Sequence, residues 1–318
     1  VPAMKAYGRF NRTIRIQKLN VPLDKRLEVA QFLEVNILPE NRKYLYDHYY
    51  DNCATRVRDL LDLASGGALK AATQGLANTT FRQITRRFSG AHFLADTLLM
   101  FLMGGGIDDP MTEWETMFLP TELELQLDKL MITDSSGRSV PFVEKKSVSV
   151  EAVGRGPIPE LAPSSLPRSL VLGGGTGAII ALLAFLLRNK RRGHEIHFGI
   201  ASSMIGLGIG LPALVLTFMA LFTDHAVTYW NENVILATPF VFAAALLGIL
   251  FASGVRRAGT IAAWLWLSQF ALALVYLLLK FIPGFVQSNW PIVAIILPVY
   301  ASLTYAGHPF LRSQPDSL

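Results

Sequence analysis

The chain has 318 residues, 51% hydrophobic and 17% charged, with a mean hydropathy of +0.36. That is too apolar for an ordinary soluble domain, and a formal net charge of +5 is too small and too dispersed for a nucleic-acid binder. The single cysteine, Cys53, excludes an intrachain disulfide and leaves a free thiol.

Residues 1–168 carry 21 Lys or Arg against 20 Asp or Glu; residues 169–318 carry 8 against 4 and consist mostly of long apolar runs. The chain therefore divides near residue 168 into a soluble half and a membrane half. Its start, VPAMKAYGRF, lacks Met and the apolar core of a signal peptide. It reads as a processed or truncated end, although a plain cytoplasmic start fits it too. RTIRIQKLNVPL (12–23) alternates and predicts a strand. VPLDKRLEVAQFLEVNIL (21–38) predicts a helix from about Asp24, with Leu27, Val29, Ala30, Leu33 and Val35 as its apolar side. RKYLYDHYY (42–50) is strand-like but too short to assign.

A second helix begins at the cysteine, with Asp51 or Asn52 able to cap it. Cys53, Val57, Leu60, Leu61 and Ala64 fall at helical spacing, and Gly66 and Gly67 end the helix. Arg56, Arg58, Asp59 and Asp62 supply much of its polar face. Cys53 has two readings. At the first helical turn, unpaired N–H groups favour negative charge, and with it a reactive thiolate and a bound oxyanion. At the top of an apolar stripe, a cysteine is also an ordinary small core residue.

NTTFRQITRRFSGAHFLADTLLMFLMG (78–104) contains at least one helix. Its apolar part, His92–Met103, is short for a span and is expected to lie against the bilayer, to close the domain core, or to insert. Arg82, Arg86 and Arg87 form a basic edge suited to lipid headgroups or to solvent. The triple glycine at 104–106 lacks the lysine of a phosphate-binding loop, and Asp108 and Asp109 suit a turn better than a metal site. Two short amphipathic segments then flank Leu119–Pro120. Residues 131–152 predict a hairpin around SSGR, and 154–169 a Pro/Ser-rich tether.

Five spans follow, at 170–187, 198–222, 233–252, 261–279 and 290–306, each close to the roughly 20 residues that cross a bilayer. RNKRR (188–192) and Arg256–Arg257 mark two loops as cytoplasmic. TDHAVTYWNEN (223–233), without Lys or Arg, and the loop holding only Lys280 should face outward. This orientation puts residues 1–168 outside, in the periplasm of a bacterium, and a tail at 308–318 inside. His225 then lies on the same side as Cys53. The outer loop reads either as a wet loop with belt aromatics or as a polar patch beneath the soluble domain.

DNCATRVRDLLD (51–62) resembles the cysteine motif of the bacterial lipoprotein N-acyltransferase family Lnb. TEWETMFLP (112–120) and DHAVTYWNENVILATP (224–239) resemble its downstream segments. The resemblance implies an α+β, circularly permuted papain-like domain followed by an all-α transmembrane bundle in the cytoplasmic (inner) membrane. No cofactor and no metal are expected. Cys53 would accept an acyl chain from a phospholipid and pass it to the N-terminal amine of a diacylglyceryl-modified lipoprotein. The family's upstream histidine-bearing strand has no counterpart before Cys53; His48, five residues away, does not match it. His225 is therefore the expected base, with His92 a weaker candidate. Asp51, Asn52, Arg56, Asp224, Asn231 and Asn233 are the expected supporting groups, the two asparagines as donors to an ester or oxyanion in a loop that walls the site. A membrane-tethered cysteine peptidase or amidase, and a non-enzymatic scaffold or transport subunit, are the rival readings.

Overall fold

The computed structural model describes residues 2–134, 136–154 and 156–311, with Pro2 and Ala3 described by backbone alone. Ser135 at the expected hairpin tip, Arg155 of the tether and residues 312–318 of the tail lie outside the described residues. The elements run α1 (Pro2–Arg9), β1 (Ile14–Leu19), α2 (Leu23–Asn36), α3 (Cys53–Ala64), α4 (Ala68–Ala72), α5 (Phe81–Ser89) and α6 (Phe93–Leu102). Next come α7 (Glu113–Thr116), α8 (Pro120–Lys129), β2 (Met131–Thr133), β3 (Ser139–Pro141) and β4 (Val143–Val150). The last six are α9 (Leu166–Leu187), α10 (Arg191–Phe222), α11 (Asn233–Leu236), α12 (Ala243–Ala252), α13 (Arg256–Leu279) and α14 (Trp290–Gly307).

These elements form two units. The first joins Val1–Phe81 to Pro110–Ile158, and the second joins Arg82–Asp109 to Pro159–Leu318. In the first unit β1 pairs antiparallel with β4, Gln17 opposite Lys146, and β2 pairs with β3 as the expected hairpin. Arg15 and Lys146 both grip Glu124 of α8, at 2.7 and 2.6 Å, which ties the β1–β4 ribbon to that helix. The core gathers Ala64, Leu69, Met117, Leu127 and Phe142 from both segments of the unit.

RKYLYDHYY, too short to assign from sequence, forms no strand; it ends in a turn closed by an isolated bridge between Asp47 and Asp51. One expectation is corrected in this unit. The helix at 21–38 forms, but its supposed apolar side stays largely open, with Leu27, Leu33 and Val35 exposed and only Val29 touching the core. The apolar residues of α2 are spread around its circumference, so packing on α3 covers little of them.

In the second unit, four helices are long and apolar enough to cross a membrane: α9, α10, α13 and the run Trp290–Phe310 that contains α14. Close helix approach depends on glycine. A Cβ at Gly173 or Gly177 of α9 would strike the α14 backbone, and one at Gly206 or Gly210 of α10 would strike residues 241–245. The apolar run 233–252 differs from the single span expected. It breaks at residues 237–238 into α11 and a helix that opens with a 3₁₀ turn at Pro239–Phe242 and continues as α12. Ala237 and Thr238 are extended there, because a proline disfavours helical backbone in the residue before it. Gln269 of α13 accepts the Thr238 N–H at 3.3 Å, satisfying an amide the break leaves without a helical partner.

Contacts inside this unit sort its loops into two ends. At one, the Arg192 guanidinium donates to the Ala252 carbonyl and His194 bonds the Ala306 carbonyl. At the other, Glu232 accepts from Gln287 and Lys280. That sorting agrees with the loop alternation read from charge.

Candidate functional site

The thiol is set by its helix cap. The Asn52 carboxamide oxygen accepts from the Ala54 and Thr55 N–H groups at 2.7 and 3.0 Å, and the Thr55 hydroxyl accepts from the Asn52 N–H in return. Cys53 is thus the first residue of α3. The buried face of α3 is Ala54, Thr55, Arg58 and Ala64, not the stripe through Cys53 and Val57, both of which are exposed. The stripe is rotated because the cap and Arg58 are pinned by polar contacts that outrank the apolar side chains. Cys53 is therefore an exposed thiol at a helix N-terminus, and the core-cysteine reading fails.

The cap also changes the oxyanion expectation. Asn52 occupies the N–H groups of residues 54 and 55, so they are not open donors. The N–H of Cys53 itself has no partner among the described residues.

The Asn52 amide nitrogen makes the link to the rest of the unit. It donates to the His48 carbonyl at 2.7 Å and to the Phe118 carbonyl at 3.1 Å. Arg58 stacks over Trp114 at 4.1 Å and donates to its carbonyl. DNCATRVRDLLD and TEWETMFLP, separate in sequence, are therefore neighbours held by one amide and one guanidinium. Arg56 pairs with Asp51 at 2.5 and 2.6 Å and lies over the Tyr44 ring. The hydrogen bonds that Arg56 donates to Asp51 hold its guanidinium above its ordinary pKa. His48 is exposed; Tyr49 packs edge-on against its ring, with Phe118 farther off, and this partial burial lowers its pKa from the ordinary histidine value.

The other expected site residues belong to the second unit. Asp224 and His225 are exposed, and His225 Nδ1 bonds the Thr223 hydroxyl at 2.9 Å rather than its neighbour Asp224. Asn231 and Asn233 are buried, and both donate to the Phe101 carbonyl, at 3.0 and 2.9 Å. These amides hold the end of α6. Gln287 donates to the Met103 carbonyl, and Arg82 to those of Met100, Met103 and Gly104. A helix leaves its last carbonyls without intrahelical partners, and here side chains from three segments take them. Gly104 is glycine because a Cβ there would strike the Tyr229 carbonyl.

Arg82 is itself paired to Asp108 at 2.7 Å, and Arg86 to Asp96 at 3.2 Å, so these arginines do not form the solvated edge their spacing suggested. Lys280 and Glu232 complete the cluster at 2.6 Å, with Tyr276 and Asn289 bonded beside them. Burial works against the Glu232 charge, but hydrogen bonds from Lys280 and Tyr276 outweigh it and hold the carboxyl below its usual range. Lys280 and Gln287 carried no signal as site residues beyond a polar patch between two apolar runs.

The family model of the Lnb N-terminal periplasmic domain matches residues 3–87. That stretch contains the cap, Cys53 and α3, and the match supports the resemblance drawn from the cysteine motif. With the four apolar helices, it supports a membrane protein with a periplasmic N-terminal domain. No curated protein and no solved structure matches the chain.

Proposed function

We propose that the protein is a multi-pass inner-membrane cysteine acyltransferase with a permuted papain-like periplasmic domain. On this reading it moves a fatty acyl chain from a phospholipid to the N-terminal amine of a diacylglyceryl lipoprotein. The observation that carries the reading is the exposed Cys53 thiol at the capped start of α3, inside the stretch that resembles the Lnb periplasmic domain.

The Cys53 thiolate attacks the ester carbonyl, and the Cys53 N–H is the donor nearest the developing oxyanion. Collapse breaks the ester C–O bond, the lysophospholipid oxygen leaves with a proton, and a thioester remains. The lipoprotein amine then attacks the thioester; an amide forms, sulfur departs, and the amine proton passes to a base. We assign the base to His48, the described histidine of the unit that holds Cys53, with His225 of the second unit as the alternative. Its backbone carbonyl is clamped to the cap of α3, five residues before the thiol in sequence.

The test is mass spectrometry of a lipoprotein N-terminal peptide from cells lacking this protein. Wild type should restore a third acyl chain and Cys53→Ser should not. Triacylation that persists after deletion, or that Cys53→Ser restores in full, would reject the proposal.

A further inference from the structure

The stretch ILPENRKYLY (37–46) joins the end of α2 to the turn before Cys53. Its large apolar and aromatic residues, Ile37, Leu38, Tyr44, Leu45 and Tyr46, are all exposed, Leu45 at 76% and Tyr46 at 59%. One apolar side chain on a surface is ordinary, but a run of them marks a place where something other than water is met.

The stretch is held at both ends, so the exposure is built in. The Leu38 carbonyl accepts from the Asn41 and Arg42 N–H groups at 3.0 Å, and the Asn41 side-chain amide donates to the Val35 carbonyl at 3.0 Å. At the far end the Asp47 carboxylate accepts from the Tyr49 and Tyr50 N–H groups, both at 2.8 Å. Tyr49 is buried against Phe81 and Phe118. Between these anchors Arg56 lies over the Tyr44 ring at 4.2 Å. The turn is fixed inward while Leu45 and Tyr46 are left outward.

Composition and charge name the occupant. Tyrosine, with an apolar ring and a polar tip, beside leucine and long-stemmed cations is the mixture that settles between lipid headgroups and acyl chains. Asp51 is taken by Arg56, and Asp47 by backbone N–H groups. Arg42 and Lys43 therefore outweigh Glu40, and the positive balance complements anionic lipid. The chain also crosses between this unit and the unit of membrane-crossing helices at 81–82, 109–110 and 158–159. A bilayer is thus always at high effective concentration, whereas a separate protein arrives only by diffusion.

We propose that residues 42–46 are an interfacial anchor. Leu45 and Tyr46 enter the outer leaflet at the boundary of headgroup and acyl chain, with Arg42 and Lys43 at lipid phosphates. The inference rests on the reading of the chain as a membrane protein with a periplasmic N-terminal domain, and not on the thiol chemistry.

The experiment uses the full chain in nanodiscs of phosphatidylethanolamine and phosphatidylglycerol. A Cys53→Ser background removes the native thiol, and the proposed acyl transfer with it, so the result stands apart from that reading. Leu45→Cys and, in the exposed β2–β3 turn, Ser136→Cys each carry a fluorophore. Lipid with a nitroxide near its headgroup should quench the label at 45 and spare the one at 136; aqueous iodide should do the reverse. Adding Tyr46→Asp should lower the ratio of lipid-quenched to free label at 45 by about tenfold, equivalent to about 1.4 kcal/mol. Tyr46→Ser serves if the aspartate variant fails to elute as a single species. Arg42→Gln with Lys43→Gln should lower the ratio by about fivefold per charge, and far less in discs of phosphatidylcholine alone. Equal lipid quenching at the two positions, or a ratio unmoved by the Tyr46 variant, would overturn the proposal. So would a label at 45 shielded from iodide yet untouched by the nitroxide lipid, which would mean a protein contact. Equal effects of the charge variant in both kinds of disc would overturn the assignment of Arg42 and Lys43.

Discussion

At the scale of single residues, Asn52 accounts for more of the thiol's setting than Cys53 does. Its carboxamide uses both functions at once, capping α3 through oxygen and bridging the His48 and Phe118 carbonyls through nitrogen. Loss of a cap costs about 1 kcal/mol, and each stranded buried carbonyl adds about 1–3 kcal/mol. Asn52→Ala should therefore lower the denaturation midpoint clearly more than Asn52→Asp, which keeps the cap and loses only the donors; equal midpoints in a chemical melt would contradict this ranking. The cap was legible in the sequence, since Asn52 precedes a helical pattern. The bridge to Phe118 was not, because it spans 66 residues. His48 was discounted for want of a family match, yet the turn clamps its backbone to the cap. If it is the base, His48→Ala should reduce turnover by about 10²–10⁴-fold, and His225→Ala should not. The wild-type activity should fall as pH drops through a value below the ordinary 6.5 of histidine, since protonation removes the base. The sign for stability is the same: a histidine whose folded pKa is depressed resists protonation, so this unit weakens as pH falls below the unfolded value. Loss of activity in His225→Ala with His48→Ala intact would reverse the assignment.

At the scale of elements, sequence periodicity located helices well and their faces poorly. α3 begins and ends where its cap residue and glycines predict, but its buried face is turned away from the cysteine by Arg58, which its charge had marked as surface. Arginines 82 and 86 mislead for the same reason: composition shows a basic edge, and only tertiary contact supplies Asp108 and Asp96. Proline in the run 233–252 was visible, but hydropathy alone reads through it, and the break at Thr238 depends on Gln269 from another helix. The Glu232–Lys280 pair is nearly closed to solvent, with 8% and 6% of the side chains exposed. Removing one partner of such a pair costs about 3–5 kcal/mol. Lys280→Met should therefore destabilise the protein far more than the double variant Lys280→Met/Glu232→Gln, measured by thermal inactivation in detergent. Similar losses in both would mean that the pair contributes little.

At the scale of the molecule, the division into a polar and an apolar half was legible from charge and hydropathy, because the bilayer selects composition so strongly. The membership of residues 82–109 was not, since their arginines resemble a soluble helix and their apolar run is short. The orientation has its own test. Cysteines placed singly at Ser136 and Asn189 in a Cys53→Ser background should differ: a membrane-impermeant thiol reagent added outside should reach the first and not the second. Labelling of Asn189→Cys from outside would invert the topology. The β1–β4 ribbon bears on how the chain is made. Its first strand ends at Leu19 and its partner begins at Val143, so the ribbon closes a loop of more than a hundred residues. Such distant pairing is slow and cannot start before the second strand has emerged. The segment 82–109, which packs with the membrane helices, is synthesised in between. The cysteine-bearing unit thus stays unfinished while part of the other unit is already outside the ribosome, and its apolar surface spends that interval uncovered.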